Sequence, residues 1–113
     1  TTTDGTKELN RILGGDYSSM RPKPSSLIKT LIQLSSKKDS IVLDFFAGSG
    51  TTLHATMKLN AEDGGNRQCI LVQQKENDAN ICETITYERN RRVMQGYTNA
   101  KGEEISGLGN SLK

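Results

Sequence analysis

Within residues 44–52 the chain reads Asp44-Phe45-Phe46-Ala47-Gly48-Ser49-Gly50-Thr51-Thr52: one carboxylate, two glycines and three hydroxyls directly after the apolar run Ile41-Val42-Leu43. Glycines let a backbone approach a ligand closely, and the amides that open a helix attract an anionic group. Three ligand classes compete for such a loop. A triphosphate-binding loop needs a lysine after its second glycine, and no lysine stands between Asp44 and His54. A dinucleotide loop needs a third glycine in G-x-G-x-x-G, and Leu53 occupies that place. A nicotinamide-dinucleotide half-domain therefore stays only as an alternative. S-adenosylmethionine carries no phosphate. It asks for close backbone approach, amides for its carboxylate, an aspartate at the strand exit and an acid after the next strand for its ribose. Asp44 and Glu76 answer the last two needs, with Asp78 as a nearby competitor.

The elements that must hold this loop can be read from periodicity and turn residues. Lys7 to Leu13 fits a short helix. Pro22-Lys23-Pro24 enforces an extended entry. A helix follows from Pro24, with Ser25 or Ser26 as cap and Leu27, Ile28, Leu31, Ile32 and Leu34 on one apolar face. Residues 40–45 read as a strand covered on both faces. Residues 49–60 read as a helix with Leu53, Thr56, Met57 and Ala61 along one side. Residues 68–73 form a second buried-type strand, and a further helix spans about 84–95. Helix, strand, glycine loop, helix, strand is the opening of a doubly wound α/β sheet, whose ligand crevice lies at the carboxyl ends of the strands.

Composition bounds the function. The 113 residues suffice for one small domain, with 33% hydrophobic residues, no Trp and a mean hydropathy of −0.60. That is lean for a self-sufficient core, so a piece of a larger protein, or a chain that pairs with another, is expected. Fifteen basic and 13 acidic residues give a net charge of +2, too balanced to argue for nucleic acid by itself. Neither a membrane-spanning run nor a signal-peptide pattern is visible. Cys69, Cys82 and His54 have no metal-ligand spacing, and the cysteines read as reduced, cytoplasmic thiols.

Leu43-Asp44-Phe45-Phe46-Ala47-Gly48-Ser49-Gly50-Thr51-Thr52 resembles motif I of the amino-group DNA methyltransferases. Phe45, where that family usually has proline, resembles the adenine-specific modification subunits of type III restriction–modification systems. Lys23-Pro24 with Leu27-Ile28 resembles motif X of that subgroup. His54-Ala55, Leu59-Asn60, residues 63–67, Ile70-Leu71-Val72-Gln73 and Glu88-Arg89 resemble its following helix, loop, strand and later helix. The likeness covers roughly residues 7–95.

The resemblance implies a partial, Rossmann-like S-adenosylmethionine-dependent methyltransferase fold. Residues 1–22 would be a polar lead, 23–95 the cofactor-binding part and 96–113 a polar, Gly-rich, truncated tail. It implies DNA as the substrate of the complete protein, a restriction subunit and a second copy as partners, and a cytoplasmic setting. The catalytic Asp/Asn-Pro-Pro-Tyr/Phe motif of the subgroup lies upstream of motif X. The only prolines here are Pro22 and Pro24, so no catalytic residue is expected in this stretch. A non-catalytic assembly module is the alternative from another class.

The expected cofactor-binding residues are Lys23, Ser25, Asp44, Phe45, Phe46, Ala47, Gly48, Ser49, Gly50, Thr51, Thr52 and Glu76. Ser49, Thr51 and Thr52 either bond the carboxylate or cap the helix. Arg89, Arg91 and Arg92 either meet DNA phosphates or form a solvated face. Tyr17 is a candidate to stack on adenine. His54 and Lys58 read as solvated, and Met57 and Met94 as packing residues. The cofactor reading requires an opening beside Gly48 to Thr51.

Overall fold

A computed structural model describes residues 2–73, 85–99 and 101–109. The order is α1 (Thr2–Leu13), a short 3-10 turn (Ser18–Met20), α2 (Ser25–Ser35), β1 (Ile41–Asp44), α3 (Thr51–Asp63), β2 (Gln68–Leu71), α4 (Tyr87–Gln95), β3 (Gly96–Thr98) and β4 (Glu104–Ser106). The molecule is mixed α/β. β1 and β2 pair in parallel, with Leu43 opposite Ile70 and Asp44 opposite Leu71, while β3 and β4 form a separate antiparallel hairpin. No helix among the described residues is long and apolar enough to cross a membrane.

α3 is the central element, buried on two sides rather than one. Ala55 and Leu59 pack with Ile32 and Ile28 of α2 and Val42 of β1. Met57 and Leu53 pack instead with Ile12 of α1, Val93 and Met94 of α4, Tyr97 and Leu108. A helix covered all round loses the single apolar stripe that periodicity looks for. Gly50 and Gly64 bracket α3, both in the left-handed region.

Four sequence expectations change. α1 is longer than Lys7 to Leu13, and it supplies core: Leu9 and Ile12 are buried. Neither Ser25 nor Ser26 caps α2; Pro24 is the N-cap and makes no side-chain bond. The apolar face of α2 is only half used, because Ile28 and Ile32 pack while Leu27, Leu31 and Leu34 are exposed. The sheet is covered on one face only. Val42 points inward, but Ile41, Leu43, Phe45, Ile70 and Val72 share the other face by strand alternation and are exposed. A continuous apolar run signals two buried faces, and this chain provides packing for one.

Candidate functional site

Asp44 ends β1 and organises the turn that follows. Its Oδ1 accepts from the Phe46 amide at 2.9 Å, and its Oδ2 accepts from the Thr52 hydroxyl at 2.7 Å. Its carbonyl accepts from the Val72 amide at 2.8 Å, and the Ala47 amide returns a bond to the Val72 carbonyl at 3.1 Å. The end of β2 thus grips both sides of the loop. The Gly48 amide donates to Gln73 Oε1 at 2.9 Å. With both oxygens committed, the Asp44 carboxylate shapes the loop rather than standing free for a ligand.

Gly48 (φ +53°) and Gly50 (φ +85°) play different parts. A Cβ on Gly50 would run into the Asn90 amide and the Thr86 methyl, so glycine is needed there for α4 to pack against the loop. Asn90 Nδ2 donates to the carbonyls of Gly50 and Thr86, at 3.2 and 2.9 Å, and the Thr86 hydroxyl donates to the Gly48 carbonyl. Among the described residues, a Cβ on Gly48 would meet only the Phe46 carbonyl, 3.8 Å away. Among the described residues the loop is therefore closed beneath, where Ala47, Ser49, Gly50 and Thr51 are buried, and open beside Phe46 and Gly48, with Phe46 86% exposed and Phe45 63%.

Beneath the loop lies a buried polar cluster. Arg89 is 0% exposed. Its Nη1 donates to Ser49 Oγ and Thr51 Oγ1, both at 2.8 Å. Its Nη2 donates to Glu8 Oε1 at 3.2 Å and lies 3.1 Å from His54 Nδ1. Burial lowers the Arg89 pKa to about 10, which leaves it charged at neutral pH. Burial, then the Arg89 charge, hold the His54 pKa down to about 3. The imidazole is therefore neutral, and since arginine only donates, Nδ1 accepts and the proton sits on Nε2. Glu8 also accepts from the Ser25 amide at 2.8 Å and from the Ser25 hydroxyl. Burial alone would raise the Glu8 pKa; the Ser25 bonds and neighbouring positive charge more than offset it, and the carboxyl ends below its ordinary value. Lys58 Nζ donates to Ser25 Oγ at 3.2 Å, and Thr51 Oγ1 donates to the Lys23 carbonyl at 3.1 Å.

The predicted residues divide accordingly. Asp44 to Thr52, Ser25 and the Lys23 backbone come together around one loop. The Lys23 side chain is exposed, and Ser25 is 0% exposed, held by Glu8. The hydroxyls of Ser49, Thr51 and Thr52 are spent within the protein, on Arg89, Lys23 and Asp44. His54 and Lys58 are not a solvated face, since both belong to the network under the loop. Arg89 lies inside, whereas Arg91 and Arg92 sit part-exposed on α4, paired with Glu88, whose pKa their hydrogen bonds hold near 2. Tyr17 lies on the entry turn, its amide donating to Asn10 Oδ1 at 2.8 Å. Glu76, Asp78 and Cys82 lie outside the described residues; Cys69 is a free thiol.

Sequence reasoning missed Glu8, Gln73, Thr86 and Asn90. Thr86 and Asn90 carried a signal, one helical turn apart and flanking Arg89. Thr51, His54 and Lys58 likewise share one helix face. Glu8 carried none, being 81 residues from its partner Arg89.

A family model described as DNA methylase matches residues 6–103. The chain is 43% identical to the Mod subunit of the type III restriction-modification enzyme StyLTI of Salmonella typhimurium, over 80% of this chain and 15% of that protein. It is 48% identical to the EcoPI Mod subunit of Escherichia phage P1, over 66% and 12%. It is 43% identical to the type II methyltransferase M.KpnI of Klebsiella pneumoniae, over 64% and 17%. The matched stretch spans at most 17% of the length of these relatives.

Proposed function

Because the chain belongs to the DNA methylase family, we propose that it is the S-adenosylmethionine-binding part of a site-specific DNA adenine N6-methyltransferase of a restriction–modification system, built on a Rossmann-like sheet of which β1 and β2 are two strands. The choice of adenine rests on the likeness to type III Mod subunits. In the complete protein the substrate is DNA, with a restriction subunit and a second copy as partners and the cytoplasm as its place. The reacting adenine is extruded from the duplex and held by groups outside these 113 residues.

The observation that carries this reading is the loop itself. Its side-chain hydroxyls and Asp44 are tied inward, and Gly48 leaves space on the outer side among the described residues. Such a cradle suits a ligand held by backbone rather than by phosphate-neutralising lysines. When bound, S-adenosylmethionine supplies an electrophilic methyl group. The Phe46–Gly48 backbone gives it close contact on the outer side of the loop. Asp44 keeps the turn in shape. Lys23 borders the methionine end, with Ser25 buried behind it on Glu8, and Glu76 accepts from the ribose. The work of this part is to fix the methyl donor against the incoming amine.

Calorimetric titration with S-adenosylhomocysteine tests it. The unsubstituted protein is expected to bind one equivalent. Gly48→Ala, whose new methyl enters the open space, is expected to weaken binding roughly tenfold or more, with only the modest stability loss of a left-handed alanine. Asp44→Ala is expected to weaken binding as well. A well-folded protein that binds no S-adenosylhomocysteine would favour an assembly role instead.

A further inference from the structure

We infer that Arg89, locked from behind by Glu8 and His54, is the positioning residue that sets the cofactor loop, and that Glu8 links this setting to the start of α2. The inference rests on the S-adenosylmethionine reading of that loop. A buried guanidinium is costly unless its donors are matched, and core hydrocarbon would fill the same space more cheaply. Here Nη1 is spent on two hydroxyls of the loop, Ser49 Oγ and Thr51 Oγ1, at equal distances of 2.8 Å, while Nε is buried without a partner among the described residues. The rear nitrogen of the fork is fixed by Glu8 Oε1 and His54 Nδ1. A planar fork held on both sides has little freedom, and so neither has the backbone bearing the two hydroxyls.

Four separate segments meet at this one group. α1 sends Glu8 and α3 sends His54. α4 carries Arg89 itself, and the loop offers Ser49 and Thr51. A fifth is joined indirectly, because Glu8 accepts from both the amide and the hydroxyl of Ser25 at the start of α2. Thr51 closes the circuit by donating to the Lys23 carbonyl. Lys23-Pro24-Ser25 and Asp44 to Thr52, the two segments assigned to the cofactor, are thus held in one frame. The hydroxyls themselves face Arg89 and Lys23, so their contribution to ligand binding is the placement of their backbone.

Titrations with S-adenosylhomocysteine on the full-length polypeptide separate positioning from mere stability. Arg89→Lys keeps the charge but cannot bridge two hydroxyls and Glu8 together. Ser49→Ala and Glu8→Gln each remove one end of the arrangement. All three are expected to weaken binding roughly tenfold at a temperature where circular dichroism shows each variant folded. Ser49 and Glu8 do not touch, yet their effects on affinity are expected to be non-additive, and to become additive in an Arg89→Met background. Should the Arg89 variants not fold, Ser49→Ala, Glu8→Gln and their double variant still decide. Affinities within twofold of the unsubstituted protein, or strict additivity, overturn the inference while leaving the cofactor reading intact. Failure of the unsubstituted protein to bind overturns both.

Discussion

His54 shows how much one residue's meaning depends on its surroundings. On sequence it is a lone histidine on a polar helix face; in the fold it is an uncharged acceptor wedged beside a buried cation. Its folded pKa of about 3 lies well below the ordinary value of 6.5. Between those two values the unfolded chain holds a proton that the folded protein lacks. Stability therefore falls as pH drops through this window, by at most about 1.4 kcal/mol per pH unit from this group. Glu8 acts in the same direction at lower pH: its folded pKa is depressed, so its contribution is present above about 4.5 and is lost as pH falls further. Thermal unfolding followed from pH 7 to pH 5 is expected to show a steady decline. His54→Asn, which keeps an acceptor near Nδ1 but cannot titrate, is expected to flatten it. An unchanged slope in that variant would remove His54 from the account.

Among the elements, α1 and α2 exchange the importance that their sequences suggest. α2 is rich in leucine and isoleucine, yet three of its apolar side chains face outward. α1 is polar over most of its length, yet it contributes Leu9, Ile12 and the carboxylate that holds Arg89. Its far end is tied as well, since Arg92 Nη1 donates to the Ile12 carbonyl at 2.8 Å. Ile12 packs against Met57 of α3 and Val93 of α4, so truncating it opens a cavity where three helices meet. Ile12→Ala is expected to cost about 2–5 kcal/mol in chemical denaturation. Leu34→Ala, at a residue 81% exposed, is expected to stay within about 0.5 kcal/mol. Equal effects would mean that α1 is not docked as described. The β3–β4 hairpin similarly gives structure to a segment expected to be a polar tail, with Tyr97 and Leu108 packed on the same cluster.

At the scale of the molecule, the exposed face of the parallel pair is the dominant surface feature. Ile41, Leu43, Phe45, Ile70 and Val72 form a contiguous apolar patch of the kind that folded monomers rarely leave open. Produced as 113 residues, the chain is expected to associate with rising concentration in sedimentation and to bind a hydrophobic dye. Leu43→Thr with Ile70→Thr is expected to reduce both while leaving the Val42 side and the unfolding midpoint nearly unchanged; dye binding that persists would place the sticky surface elsewhere. The sequence by itself determined the local order: a strand ending in Asp44, a glycine turn, α3, a second strand, and the family that this pattern marks. These follow from short-range rules of periodicity, turn chemistry and motif spacing, each legible within about ten residues. Tertiary structure alone decided what the hydroxyls of Ser49, Thr51 and Thr52 bond to, that Arg89 and His54 lie inside, that Glu8 is their partner, and which face of each apolar run is covered. Those outcomes depend on desolvation and on contacts between residues as much as 81 positions apart, and neither is written in the types and spacing of neighbouring side chains.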